Sequence, residues 1–207
     1  MAITYPRSLP AGTAKRIRFK MNSMVGMSAS PFTGSQQVYA HQGQFWSAEV
    51  ELPPMQAATA EAWLGFLLSL NGREGTFLMG DPTRTATRGI GTGSPLVNGA
   101  SQTGNTLITD GWTVSQTGIL KAGDYIQLGT GSSSRLYKLR ADANSDGSGN
   151  ATLEIWPRLR SAPADNAALT VASAKGLWRL ADNEQGWDLE EAGFYGISFN
   201  CVEAFDA

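Results

Sequence analysis

Residues Gln44 to Pro82 read QFWSAEVELPPMQAATAEAWLGFLLSLNGREGTFLMGDP, and this stretch decides the fold. From Gln44 to Leu52 the side chains alternate, with Trp46, Ala48, Val50 and Leu52 on one face and Ser47, Glu49 and Glu51 on the other. A period of two with one apolar face is the pattern of a half-buried strand. Pro53-Pro54 ends it, because proline has no N–H to give to a sheet ladder. A helix is expected over residues 55–70, with Ala60, Trp63, Leu64, Leu67 and Leu70 along one side. Such a stripe is what a helix lays against a sheet. Asn71-Gly72 stops it, since glycine takes the left-handed C-cap conformation without steric cost. Thr76 to Met79 then reads as a short buried strand, closed by Gly80-Asp81-Pro82.

Upstream lies the densest basic run, Lys15, Arg16, Arg18 and Lys20. Ile17, Phe19 and Met21 alternate with Arg18 and Lys20, so a strand with a solvated outer face is expected, an acidic partner being the alternative. Downstream, residues 88–176 are rich in Gly, Ser, Thr and Asn. Strands are expected at Thr106–Thr109, Asp124–Leu128, Arg135–Leu139, Ala151–Trp156 and Leu169–Val171, separated by turn residues, as in a small barrel or sandwich. Gly89-Ile90-Gly91-Thr92-Gly93 reads as a flexible linker. A last strand is expected from Phe194 to Val202. The chain is therefore expected to be mainly β, with two units. Residues 1–87 together with 177–207 form a β-sandwich with one packed α-helix. Residues 88–176 form an inserted small β-barrel, OB- or SH3-like, held out on the glycine-rich linker. One continuous β-domain is the alternative.

The 207 residues suffice for a core without staples. The charged share is 16%, against roughly 25% in ordinary soluble domains. Interface centres are depleted in charge, so this composition points to surface covered by other protein. A net charge of −2 lacks the basic excess of a protein that grips nucleic acid. The opening residues contain no apolar run, and no stretch approaches the roughly 18 apolar residues of a membrane span. The chain is thus expected to be soluble and to stay where it is made, with no membrane partner. A single cysteine, Cys201, leaves no internal disulfide; with Tyr195, Ile197 and Phe199 it shares one strand face and reads as core.

Chemistry-bearing patterns are few. His41 is the sole histidine and has no serine or cysteine in a sharp elbow beside it, so triad chemistry and an ordinary zinc set are both unsupported. Asp142-Ala143-Asn144-Ser145-Asp146-Gly147 opens like a calcium loop. Its twelfth position is Leu153, where a bidentate glutamate belongs, so a plain turn is expected, with Asp142, Asn144 and Asp146 as a weak cation site in reserve. The Gly89–Gly93 run opens no helix and is not read as a phosphate loop. Glu49 with Glu51 and Glu190 with Glu191 are carboxylate pairs, but nothing places them in a pocket. Of the tryptophans, Trp46, Trp63 and Trp178 fall on apolar faces; Trp112, Trp156 and Trp187 sit near turns, with packing favoured over sugar stacking. No catalytic residue and no cofactor is expected.

The order strand, Pro-Pro, Trp-bearing helix, Asn-Gly, short strand and Gly-Asp-Pro over Gln44–Asp81 resembles tail proteins of long-tailed bacteriophages. So do the phrases LKAGDYIQLG, LYKL and DGSGNATLEIWPRLR. The layout is most similar to distal tail proteins. That resemblance implies a non-enzymatic virion protein, assembled in the bacterial host cytoplasm, that forms a ring, usually a hexamer, with copies of itself. It also implies contact with the tail-tube protein and with hub and fibre proteins, and passage of DNA without sequence-specific binding. A tail-tube or head–tail joining subunit is the first alternative. The second, of another class, is a carbohydrate-binding module, which exposed aromatics along a groove in residues 88–176 would favour.

Overall fold

The computed structural model describes residues 3–12, 14–191 and 193–205; the remaining positions of the first expected unit lie outside this description. In chain order the elements are β1 (Arg7–Ser8), β2 (Arg16–Ala29), β3 (Gln36–Glu51), β4 (Met55–Gln56), α1 (Ala57–Ser69) and β5 (Thr76–Met79). There follow β6 (Gly93–Val97), β7 (Thr106–Trp112), β8 (Tyr125–Leu128), β9 (Arg135–Leu139), β10 (Ala151–Trp156) and β11 (Leu169–Thr170). The chain finishes with β12 (Gly176–Leu180), β13 (Trp187–Leu189) and β14 (Phe194–Glu203). The expected mainly β fold, with one packed helix and a barrel-like second unit, is what the structure has.

The larger sheet runs β1-β5-β12-β14-β3-β2, with β4 and β13 paired to the first half of β14. Its inner face carries Trp46, Ala48, Val50, Phe77, Trp178, Phe199 and Cys201, all buried, and α1 lies over it. The helix inserts Ala60, Trp63, Leu64 and Leu67 as the spacing predicts, and also Phe66, whose ring meets Phe77 edge-on at 5.6 Å. After Leu70 the chain turns through Asn71 and Gly72, both at positive φ, and the Gly75 amide returns to the Leu70 carbonyl at 2.8 Å.

The smaller sheet, β11-β8-β9-β10-β7-β6, curls until its edges meet: the Val97 amide bonds the Ala167 carbonyl at 2.9 Å, and Leu96 bridges Ala168. Inside are Val97, Leu107, Ile119, Ile126, Leu153 and Ile155. The excursion begins and ends on neighbouring antiparallel strands, since Met79 of β5 faces Gly176 of β12. The barrel-like unit is therefore an elaborated connection between two paired strands.

Two expectations about this unit need correction. It is not held out on a linker. Trp46 Nε1 donates to the Leu136 carbonyl at 3.0 Å, the Trp46 and Trp156 rings meet edge-on at 4.4 Å, and Tyr125 and Leu136 belong to the core of the larger sheet. Nor is Gly89–Gly93 a free tether. Amides of Arg88, Gly89 and Lys121 all donate to the buried Asp124 carboxylate, and the amides of Ile90 and Gly91 bond Gly118 and Ile119. A Cβ on Gly89 would lie 2.4 Å from the Ile119 carbonyl oxygen. Glycine stands there because two backbones touch, a different use from chain flexibility.

Candidate assembly surface

The groups that could carry chemistry are engaged elsewhere. Asp142 Oδ1 accepts from the Ala122 amide at 2.8 Å and Oδ2 from Lys121 at 3.0 Å; Asn144 accepts from the Gly118 amide at 2.7 Å. Asp146 accepts from the Ser148 and Asn150 amides, each at 2.8 Å. These donors hold the Asp142 and Asp146 carboxyls below the ordinary aspartate range, with the Ala122 and Asn150 amides the leading causes. The three side chains tie down turns. Among the described residues no group of three or more His, Cys, Asp or Glu is placed to hold a metal.

Cys201 is buried against the Ala48 carbonyl, and burial pushes its thiol far up, away from a reactive thiolate. His41 is exposed on β3. Glu49 and Glu51 lie on the outer face beside a depression of about 440 Å³, but each carboxylate is already paired, Glu49 with Arg18 and Lys20 and Glu51 with Lys15 and Arg16. Trp112 is buried and donates to Thr109 Oγ1 at 2.8 Å, Trp156 packs on Trp46, and Trp187 stands half in solvent. The described aromatics of residues 88–176 are Trp112, Tyr125, Tyr137 and Trp156, and none is exposed, so no ring platform for a sugar lies on that unit.

What stands out instead is the hairpin of β2 and β3. Its strands run together for far longer than the sheet that supports them. From Arg16 to Lys20, opposite Glu51 to Ser47, the pair belongs to the sheet, with Ile17 and Phe19 packed inward. Beyond Met21 and Trp46 the ladder leaves the body and continues to the Ala29–Gln36 pair. The sequence pattern placed Met21 on the inward face; it is on that face, but past the last neighbour, and is exposed.

Between the Ser23–Gln44 and Val25–Ala40 pairs the register shifts: β3 has three residues, His41 to Gly43, where β2 has only Met24. The slip is by two, an even number, so it keeps each strand's faces. Val25, Met27, Val38 and Ala40 therefore extend the inner face of the sheet, the face of Trp46 and Ala48, and among the described residues none packs over it. A tight turn closes the end: the Gly34 amide bonds the Ser30 carbonyl and the Ser30 amide the Ser35 carbonyl, both at 2.9 Å. At the tip, Phe32 is 95% exposed.

No Asp, Glu, Lys or Arg occurs between Met21 and Ala48. Exposed edges are ordinarily guarded by charge, and an exposed apolar, uncharged edge is a template for pairing. An isolated two-stranded hairpin is also marginal in water. From the Met21–Trp46 pair to the Ala29–Gln36 pair this arm spans roughly 27 Å of ladder, at about 3.4 Å per residue, with neither protection.

The root of the arm is firmly set. The Trp46 amide donates to Glu203 Oε2 at 3.0 Å, and the same carboxylate pairs with Arg160 at 2.8 Å while buried to 3% exposure of its side chain. Gln44 Oε1 accepts from the Arg158 amide at 2.9 Å, and Asn22 Nδ2 donates to Ser47 Oγ at 2.8 Å. Both sheets thus grip the base of one projecting element.

Sequence reasoning found the root but missed the arm, whose one available signal was the long charge-free run itself. No protein-family model matches this chain, and no curated protein matches it either.

Proposed function

We propose that this chain is a structural subunit of a phage tail, forming a ring at the distal end that joins the tail tube to the hub and fibres and lets DNA pass. The observation that carries the reading is the uncharged hairpin arm, whose apolar face prolongs the sheet's inner face into solvent. Such a surface calls for protein over it, and a ring subunit has neighbours to supply it. Head-to-tail contacts close into a ring when the rotation between copies fits. The likeness to distal tail proteins implies six copies. Low charge suits a wall that DNA slides past, because strong binding requires phosphate neutralisation. The fold contributes a rigid body, and no reaction is assigned to it.

The experiment is negative-stain imaging of the purified chain across a concentration series. Single-layer closed rings with a central opening are the expected result. Stacked tubes would move the chain to the tail-tube role. A chain that remains monomeric at every concentration and binds glycans in a screen would replace the assembly reading with the carbohydrate-binding one.

A further inference from the structure

Sulfur is distributed unevenly between the body of the molecule and the arm. Five of the six methionines lie in the described residues, and three of those stand on β2 at intervals of three: Met21, Met24 and Met27. They are 69%, 50% and 64% exposed, against 9% for Met55 and 1% for Met79 in the core of the larger sheet. Met21 and Met27 continue the inner face with Val25 and Val38. Met24 sits in the register shift and lies over Gly43, where an added Cβ would come within 2.9 Å of its Cγ. Cys201, the one other sulfur-bearing side chain, is buried.

We infer that Met21, Met24 and Met27 are a modification site, at which a peroxide writes a reversible change into the arm. The step is a two-electron oxygen transfer. The thioether sulfur attacks one peroxide oxygen, the O–O bond breaks and an S=O bond forms. The second oxygen takes the proton of the first and leaves as water, or as an alcohol from an organic hydroperoxide. Sulfur is oxidised, and the peroxide reduced, by the same two electrons. The product is polar where the thioether was apolar, and methionine sulfoxide reductases reverse it.

Exposure decides where the reaction goes, because the oxidant must reach the sulfur lone pair. Packing shields Met55 and Met79, and the buried Cys201 thiol does not compete. The fold tolerates the product, since sulfoxides at Met21 and Met27 stay hydrated in the isolated chain. The consequence falls on contacts that bury the arm. A sulfoxide oxygen buried without a donor weakens such a contact roughly tenfold or more. This consequence, unlike the site itself, rests on the self-assembly reading above: oxidation releases neighbouring copies while each stays folded.

The test is a time course in dilute hydrogen peroxide at high protein dilution, read by mass spectrometry of peptides alongside melting temperature. Met21, Met24 and Met27 are expected to oxidise roughly tenfold faster or more than Met55 and Met79, with melting unchanged. Equal rates at the five positions, or a melting temperature that falls as the arm is oxidised, would overturn the site. Association is then compared by sedimentation velocity at high concentration. The oxidised chain should be monomeric, and sulfoxide reductase should restore its multimers. A Met21→Leu, Met24→Leu, Met27→Leu chain should assemble equally well before and after peroxide. Multimers that persist once the arm is fully oxidised would overturn the consequence and leave the site standing. A wild-type chain that never associates would overturn the assembly reading and the consequence together, the site being decided by the rates alone.

Discussion

Between Arg16 and Lys20 the β2–β3 hairpin carries Arg18 and Lys20 on its outer face, paired with Glu49, and Ile17 and Phe19 packed inward, the Phe19 ring among Trp46, Tyr125 and Trp178. Between Val25 and Ala29 the same ladder has no charge on either face and, among the described residues, no neighbour over its apolar side. The root is stabilised within the chain; the arm is continuous with it but has no such contacts among the described residues. On the assembly reading proposed above, one hairpin holds a folding element and a binding element, divided near Met21 and Trp46. Perturbing the two halves should separate folding from assembly.

The largest effect on folding is expected at the division itself. Trp46→Ala removes a ring packed between both sheets and its bond to Leu136, and should cost about 3–5 kcal/mol in denaturant unfolding. Glu203→Ala comes next. It leaves Arg160 and the Trp46 amide without their acceptor, and breaking a buried pair on one side costs roughly 3 kcal/mol. In the arm, Met27→Lys combined with Val38→Glu replaces an exposed apolar cross-strand pair by an opposite-charge one. The isolated chain should then unfold within about 0.5 kcal/mol of wild type.

The smallest effect concerns acid. Hydrogen bonds from Lys20 and Lys15 hold the Glu49 and Glu51 carboxyls below the ordinary glutamate value. Their folded pKa values are depressed, so the root's ladder contributes above the unfolded value and is lost as pH falls through the folded one. Melting temperature should drift down in that acid window. Glu49→Gln with Glu51→Gln should shallow the drift, which the carboxylate-free arm does not share.

How much of this was legible depends on where the partner of each residue lies. Gln44 to Leu52 announced itself because one face is buried and the other wet, and helix 55–70 did so through its stripe. Phe66 escaped because it packs on the flank of that stripe, against Phe77. The arm has both faces in solvent, so burial imposes no strict alternation from Val25 to Ala40: Val38 and Tyr39 stand on opposite faces and both are exposed. β13 is three residues long and exposed throughout, too short to carry a pattern.

The glycine run at Gly89 looked flexible because what fixes it, the Asp124 carboxylate, is 35 residues away. The calcium-like spacing of Asp142, Asn144 and Asp146 arose from turn chemistry: each side chain caps amides nearby in space, which is why Asp and Asn recur there.

The claim that one end of this hairpin exists for other copies is tested most directly by sedimentation velocity of wild type beside the Met27→Lys, Val38→Glu variant, at matched concentrations. The account predicts closed multimers for wild type and a folded monomer for the variant, with equal melting temperatures at high dilution. Multimers of unchanged size from the variant would contradict it.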